Sequence, residues 1–95
     1  MGRKLDKEGW RGFLTLCSKI KSPEEFERLF DLFLTFEEKE TLGNRFLIVK
    51  ALQEGKLTQR EMADQFGVSI SQITRGSNAL KIIDASLQKA LEKLL

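Results

Sequence analysis

Four times in 95 residues the chain places a serine or threonine three positions ahead of a glutamate or glutamine: Ser22 with Glu25, Thr35 with Glu38, Thr58 with Glu61, and Ser69 with Gln72. A helix leaves its first backbone N–H groups without intrahelical partners. A hydroxyl at the N-cap accepts from the third helical residue, whose longer side chain reaches back to the cap, so this spacing starts a helix. Pro23 reinforces the first signal, because its missing N–H costs nothing at the opening position. Gly55 and Gly67 stand where the helices begun at Thr35 and Thr58 must stop. At the two ends, Trp10, Phe13, Leu14, Cys17 and Ile20, and then Leu87, Ala90, Leu91 and Leu94 after a cap at Asp84, recur at helical spacing. Six helices therefore account for nearly the whole chain, an all-α fold without strand pairs, internal repeats or low-complexity segments.

Two of these helices are apolar on more than one face. The second offers Phe26, Leu29, Phe30, Leu32, Phe33 and Leu34, and the third adds Leu42, Phe46, Leu47, Ile48, Val49, Ala51 and Leu52. A small monomer has too little interior to hide apolar groups all round its helices. A core shared between two chains accounts for them; the alternative is that one of these helices is central in a monomer.

At 41% hydrophobic and 32% charged, with a single proline, the composition is that of a soluble helical globule. No apolar run reaches the ~18 residues of a membrane span, and Arg3, Lys4, Asp6, Lys7 and Glu8 precede no apolar block, so neither a transmembrane segment nor a signal peptide is expected. One cysteine and no histidine exclude an intramolecular disulfide and leave no zinc site. Cys17, in "LTLCSKI", reads as a small buried hydrophobe sooner than a reactive thiol. A reducing, cytoplasmic setting is expected. Without histidine or a phosphate loop there is no nucleophile-and-base pair, and no enzyme is expected. Net charge is +2, unevenly spread: residues 1–20 carry five basic and two acidic groups, 21–55 five and eight, 56–95 six and four. Both ends are basic and the middle acidic, which permits a polyanionic partner without requiring one.

Residues 59–78, "QREMADQFGVSISQITRGSN", have the pattern of a helix-turn-helix. Ala63 is small where two helices cross, and Gly67 can take the left-handed conformation that ends the first of them. Met62, Phe66, Val68 and Ile73 form the apolar seam. The second helix of such a motif enters the major groove with its N-terminal residues toward the bases. Here those are Ser69, Ile70, Ser71, Gln72 and Thr74. Gln72 has the amide to pair with adenine, Ile70 can touch a thymine methyl, and hydroxyls suit phosphates. Lys56, Gln59 and Arg60 at the front of the first helix are candidate phosphate contacts, or plain surface residues. A tight structural corner of two helices would also want small residues at the crossing.

Beyond those readers comes Arg75-Gly76, although glycine weakens a helix interior by roughly 1 kcal/mol relative to alanine. Arg45 is the other unusual residue, a charge beside the apolar run "FLIV". It is either a surface residue, free or paired with Glu38 or Glu40, or it faces Arg75 across a slot for a flat anionic ligand. A guanidinium can clamp a carboxylate and stack on a ring.

The stretch "LGNRFLIVKALQEGKLTQREMADQFGVSISQITRGSNALK", residues 42–81, resembles the core of the tryptophan repressor family, most specifically in "ITRGSNALK" and in Leu34-Thr35 through Arg45. The likeness runs from about Trp10 to Leu95. Members of that family are among the proteins from which the groove-docking geometry above is drawn. The resemblance implies a six-helix intertwined homodimer that binds operator DNA when L-tryptophan, the corepressor, lies beneath the reading helix. By position it gives Arg45 the ligand carboxylate with Thr35 assisting, lays Arg75 over the indole, and lets the indole approach the backbone at Gly76. The main-chain carbonyls of Leu32 and Leu34, from the partner chain, would receive the amino group. Where the family commonly has a serine after Asn78 this chain has Ala79, which cannot hold the amino group. Ser71 and Gln72 also depart from the commoner small-residue and threonine pair, and the basic N-terminal arm is short.

The expectation is a single domain, 1–95, with a dimerisation core at 10–54, the helix-turn-helix at 58–78 and a C-terminal core helix at 84–95. The expected function is tryptophan-dependent repression through double-stranded operator DNA, with no metal and no membrane. One rival keeps the fold and responds to a different indole or carboxylate. Another is a helical dimerisation module that never touches DNA.

Overall fold

A computed structural model of the chain describes residues 7–95. Arg3, Lys4 and Asp6 of the charged N-terminal end lie outside the described residues. Six helices follow in order: α1 (Lys7–Ser18), α2 (Pro23–Phe33), α3 (Phe36–Glu54), α4 (Gln59–Phe66), α5 (Ile70–Ile82) and α6 (Ala85–Leu94). Among the described residues there is no strand. The chain divides into two compact units, Met1–Thr35 and Phe36–Leu95. The division falls within the 10–54 stretch expected as one dimerisation core, so each part is built on its own.

In the first unit α1 stops at Ser18, short of Ile20. Its end tightens as the N–H groups of Lys19 and Ile20 bond back to the carbonyls of Leu16 and Cys17, at 3.1 and 3.0 Å. Ser18 Oγ also donates to the Thr15 carbonyl at 2.7 Å. Ser22 is extended, as the residue before a proline must be, and its hydroxyl accepts the Glu25 N–H at 3.1 Å. The expected reciprocal bond differs: the Glu25 carboxylate takes the N–H of Lys21, at 3.4 Å, instead of that of Ser22. Aromatic rings join the two helices around Phe13, which stacks on Trp10 (centroids 6.0 Å apart) and meets Phe33 edge-on at 5.4 Å. Even so, neither α1 nor α2 has a fully buried residue. Cys17 is a free, half-buried thiol. A two-helix hairpin has too little depth to enclose a core of its own.

The second unit has that depth. Helices α3, α4 and α5 pack on one another pairwise. Ile48 and Ala51 of α3, Met62 of α4, Val68 of the turn and Ile73 of α5 form the buried core, with Leu52, Leu57, Ala63 and Phe66 packed against it. Burying a large apolar side chain of this kind is worth about 1.5–3 kcal/mol. Gly55 closes α3, its N–H bonding the Ala51 carbonyl at 3.0 Å. Asp84 caps α6 by accepting the Leu87 N–H at 2.8 Å. A link between Gln88 Nε2 and Gln53 Oε1, at 3.4 Å, ties α6 to α3.

The helix-turn-helix and the α3–α5 crossing

Both helices of the motif begin with complete capping boxes. Thr58 Oγ1 accepts the Glu61 N–H at 3.1 Å while the Thr58 N–H donates to Glu61 Oε1 at 2.8 Å. Ser69 and Gln72 repeat these bonds at the same two distances. Between the helices Gly67 turns the chain at φ 66°, ψ 36°, and its N–H caps Ala63. A residue with a Cβ is disfavoured in that left-handed region. The turn drops Val68 into the core, where Met62 is 2% exposed and Ile73 fully enclosed. Each residue expected in the apolar seam is there, although Phe66 is half-buried and packs from the side.

Burying Ile73 and Gly76 on one side of α5 leaves Ile70, Ser71 and Thr74 exposed on the other, at the i, i+1 and i+4 spacing of one helical face. Lys56 before α4, and Gln59 and Arg60 in its first turn, are exposed too. Ser69 and Gln72 stand apart from the other expected readers. Ser69 is the N-cap, and the Gln72 side-chain oxygen already holds the Ser69 N–H. Their spacing carried this signal in the sequence, and it competes with Gln72 as an adenine reader.

Gly76 is explained by a neighbour that the sequence did not reveal. A Cβ built on it would lie 2.8 Å from Ile48 Cγ2 and 3.8 Å from Leu52 Cδ1. Glycine is therefore what lets α5 press its backbone against α3. Arg45 sits three residues before Ile48 on α3, on the same helical face, and Arg75 directly precedes Gly76. Each arginine thus lies within one turn of the point where the helices touch. Both are exposed, and neither guanidinium is held by an ion pair or hydrogen bond among the described residues. The pairing of Arg45 with Glu38 or Glu40 does not occur. Leu32, Leu34 and Thr35 belong to the first unit, so the second unit alone does not complete the expected ligand set. Leu34 caps α2, its N–H bonding the Phe30 carbonyl at 2.8 Å, and Leu32 is 77% exposed.

Comparison with known proteins places the chain in a family. The family model described as Trp repressor protein matches residues 8–95. The chain belongs to the Trp repressor family. A relative named Trp operon repressor homolog, from Chlamydia caviae, is 56% identical over 94 residues, covering 99% of this chain and 93% of its own. One of the same name from Chlamydia trachomatis serovar D is 51% identical over 91 residues, covering 96% and 97%. A more distant Trp repressor relative, the Vibrio cholerae homolog, is 38% identical over 86 residues, covering 90% and 84%. Among the described residues no helix is long and apolar enough to cross a membrane, and no cluster of three or more His, Cys, Asp or Glu is gathered for a metal.

Proposed function

We propose that this chain is a tryptophan-dependent transcriptional repressor, cytoplasmic and active as a homodimer on double-stranded operator DNA. The observation that carries the reading is α5 itself. Its capped first turn offers Ile70, Ser71 and Thr74 outward, and its middle packs on α3 at Gly76, within a turn of two exposed, unpaired arginines. Ile70 and Ser71 keep backbone N–H groups that the cap does not use, suited to a phosphate at a helix N-terminus. Lys56, Gln59 and Arg60 would hold the flanking backbone, and Ser69 would set the helix start.

L-tryptophan is the proposed corepressor. Arg45 would bind its carboxylate with Thr35, Arg75 would cover the indole, and Gly76 would bring the helix backbone close. The carbonyls of Leu32 and Leu34 from a second chain would take the amine. Exposed and unpaired guanidiniums fit that task, since no existing salt bridge has to be broken. The second chain is supported by apolar surface that a lone chain leaves bare: Leu42 and Phe46, one turn apart on α3, are 51% and 52% exposed. In this proposal residues 10–54 form the dimerisation core, 58–78 the reading head and 84–95 a further core helix.

Calorimetric titration of the dimer with L-tryptophan, with and without duplex, tests the reading. Saturable binding lost in Arg75→Leu is expected, as is duplex retention that needs tryptophan and falls steeply with salt. Absence of heat with an intact dimer would remove tryptophan from the mechanism. Ala79 favours a second reading, an indole or carboxylate ligand without the amino group, and a thermal-shift panel of such ligands separates the two.

A further inference from the structure

We propose that Gln72 positions the reading helix and does not read bases, and that thymine methyl groups, met by Ile70, supply sequence preference instead. This rests on the DNA-binding reading above. To pair with adenine, a glutamine must present its carbonyl oxygen and its amide N–H together to the base edge. In this structure Gln72 Oε1 accepts the Ser69 N–H at 2.8 Å and lies 3.4 Å from Ser69 Oγ, while Ser69 Oγ accepts the Gln72 N–H at 3.1 Å. These bonds begin α5. Turning the amide to a base would release the Ser69 N–H and break that half of the capping box, offsetting the gain in base recognition. Gln72 is also half-buried, whereas its neighbours Ser71 and Ile70 are exposed.

Ile70 is in the opposite condition. It occupies the first position of α5, is 49% exposed and takes no part in the core of the second unit. Thr74, four residues on, extends the same outward face with a second methyl group. The thymine C5-methyl is the apolar group that base edges display in the major groove, so it is the natural counterpart of a bare isoleucine there. Burying one methyl is worth about fourfold in affinity, and two half-sites of a dimer together about fifteenfold.

The experiment begins by selecting a preferred duplex from a random pool with the tryptophan-loaded dimer. Failure to retain any duplex at low salt would refute DNA binding itself, whichever residue reads. With a selected duplex, each thymine is replaced by uracil, which removes only the methyl. At one or two positions, replacement in a single half-site is expected to weaken binding about fourfold and replacement in both half-sites about fifteenfold, and Ile70→Ala is expected to make the same replacements silent. Gln72→Glu preserves the acceptor for Ser69, so it should keep the melting temperature and the base preferences while lowering affinity evenly across sequences. Gln72→Met, which lacks that acceptor, should lower the melting temperature, with Gln72→Glu as the rescue. Silent uracil replacements, or loss of adenine preference at one position in both Gln72 variants, would overturn the assignment.

Discussion

Replacing Gly76 by alanine sets two well-measured effects against each other. Alanine in a helix interior is favoured over glycine by about 1 kcal/mol, so propensity alone makes the substitution stabilising. The new Cβ, however, would stand 2.8 Å from Ile48 Cγ2, where an ordinary contact begins near 3.4 Å. Ile48 cannot turn away. It is 2% exposed, and a β-branched residue in a helix has one strongly preferred rotamer. Relief must come from moving α5 off α3 by several tenths of an ångström, which loosens the core around Ile73. Overpacking of this kind costs about 1–3 kcal/mol, and the rigid neighbour puts this case near the upper end. Gly76→Ala should therefore be destabilised by about 2 kcal/mol net, lowering the melting temperature by about 8–16 °C for a domain of this size. Circular-dichroism melts at fixed protein concentration measure it. The partner substitution is Ile48→Leu, which moves the branch away from Cβ and removes Cγ2 at a cost below about 1.5 kcal/mol. In the double variant the two costs should fall short of additivity by about 1 kcal/mol or more. A Gly76→Ala protein that melts at or above the parent, or strictly additive costs, would refute the packing account. A glycine kept solely to admit a ligand would instead lose tryptophan binding with stability intact.

Ile73→Ala should cost about 2–5 kcal/mol, because the side chain is fully enclosed, and urea unfolding of the second unit reads that loss. Thr58→Ala and Ser69→Ala each remove an N-cap hydroxyl and should cost about 1 kcal/mol, whereas glycine at either position should recover most of it. Phe46→Ser, at a half-exposed position, should raise the dimer dissociation constant at least tenfold in sedimentation equilibrium while the helical signal of the folded chain is kept. An unchanged constant would remove this face of α3 from the proposed dimer contact.

Helix starts were legible because they are local chemistry. The Thr58 and Ser69 boxes and the Asp84 cap need only residues three apart, and all three formed. The Glu25 bond to Lys21 shows the limit: the cap at Ser22 formed, but spacing does not choose which nearby N–H the carboxylate takes. The seam of Met62, Val68 and Ile73 was legible from period and the Gly67 turn. What could not be read was the Ile48–Gly76 contact, since it joins residues 28 positions apart across two helices. Without it, glycine in a reading helix invited a ligand explanation, although tight helix packing already requires it. Arg45 and Arg75 stood out as misplaced charges in the sequence. Spacing left open whether they face one another; the Ile48–Gly76 contact brings their two helices together beside them.

That crossing also restricts how a corepressor can act. Because the backbone at Gly76 already lies against Ile48, a flat ligand has no room between them and must settle beside the contact, toward the exposed arginines. There, on the proposed reading, it would fix the angle of α5 on α3 without separating the helices, and the contact would serve as a pivot. Tightness of binding alone would do nothing, for a ligand shifts an equilibrium only by its differential affinity for the two states. Moving the reading heads from 1:99 to 99:1 requires about 10⁴-fold in total, or about 5.5 kcal/mol. Two corepressor molecules on a two-fold dimer would share it, about 100-fold each. Raising the competent fraction from 1% to 99% tightens operator binding about 100-fold. Linkage is reciprocal, so for a switch this complete saturating operator should tighten tryptophan binding by about the same 100-fold over the two sites together, about tenfold per site. Titration of tryptophan against free and duplex-bound dimer measures the factor directly. A ratio near one would mean that the ligand occupies the protein without setting α5, and the pivot would then be structural alone.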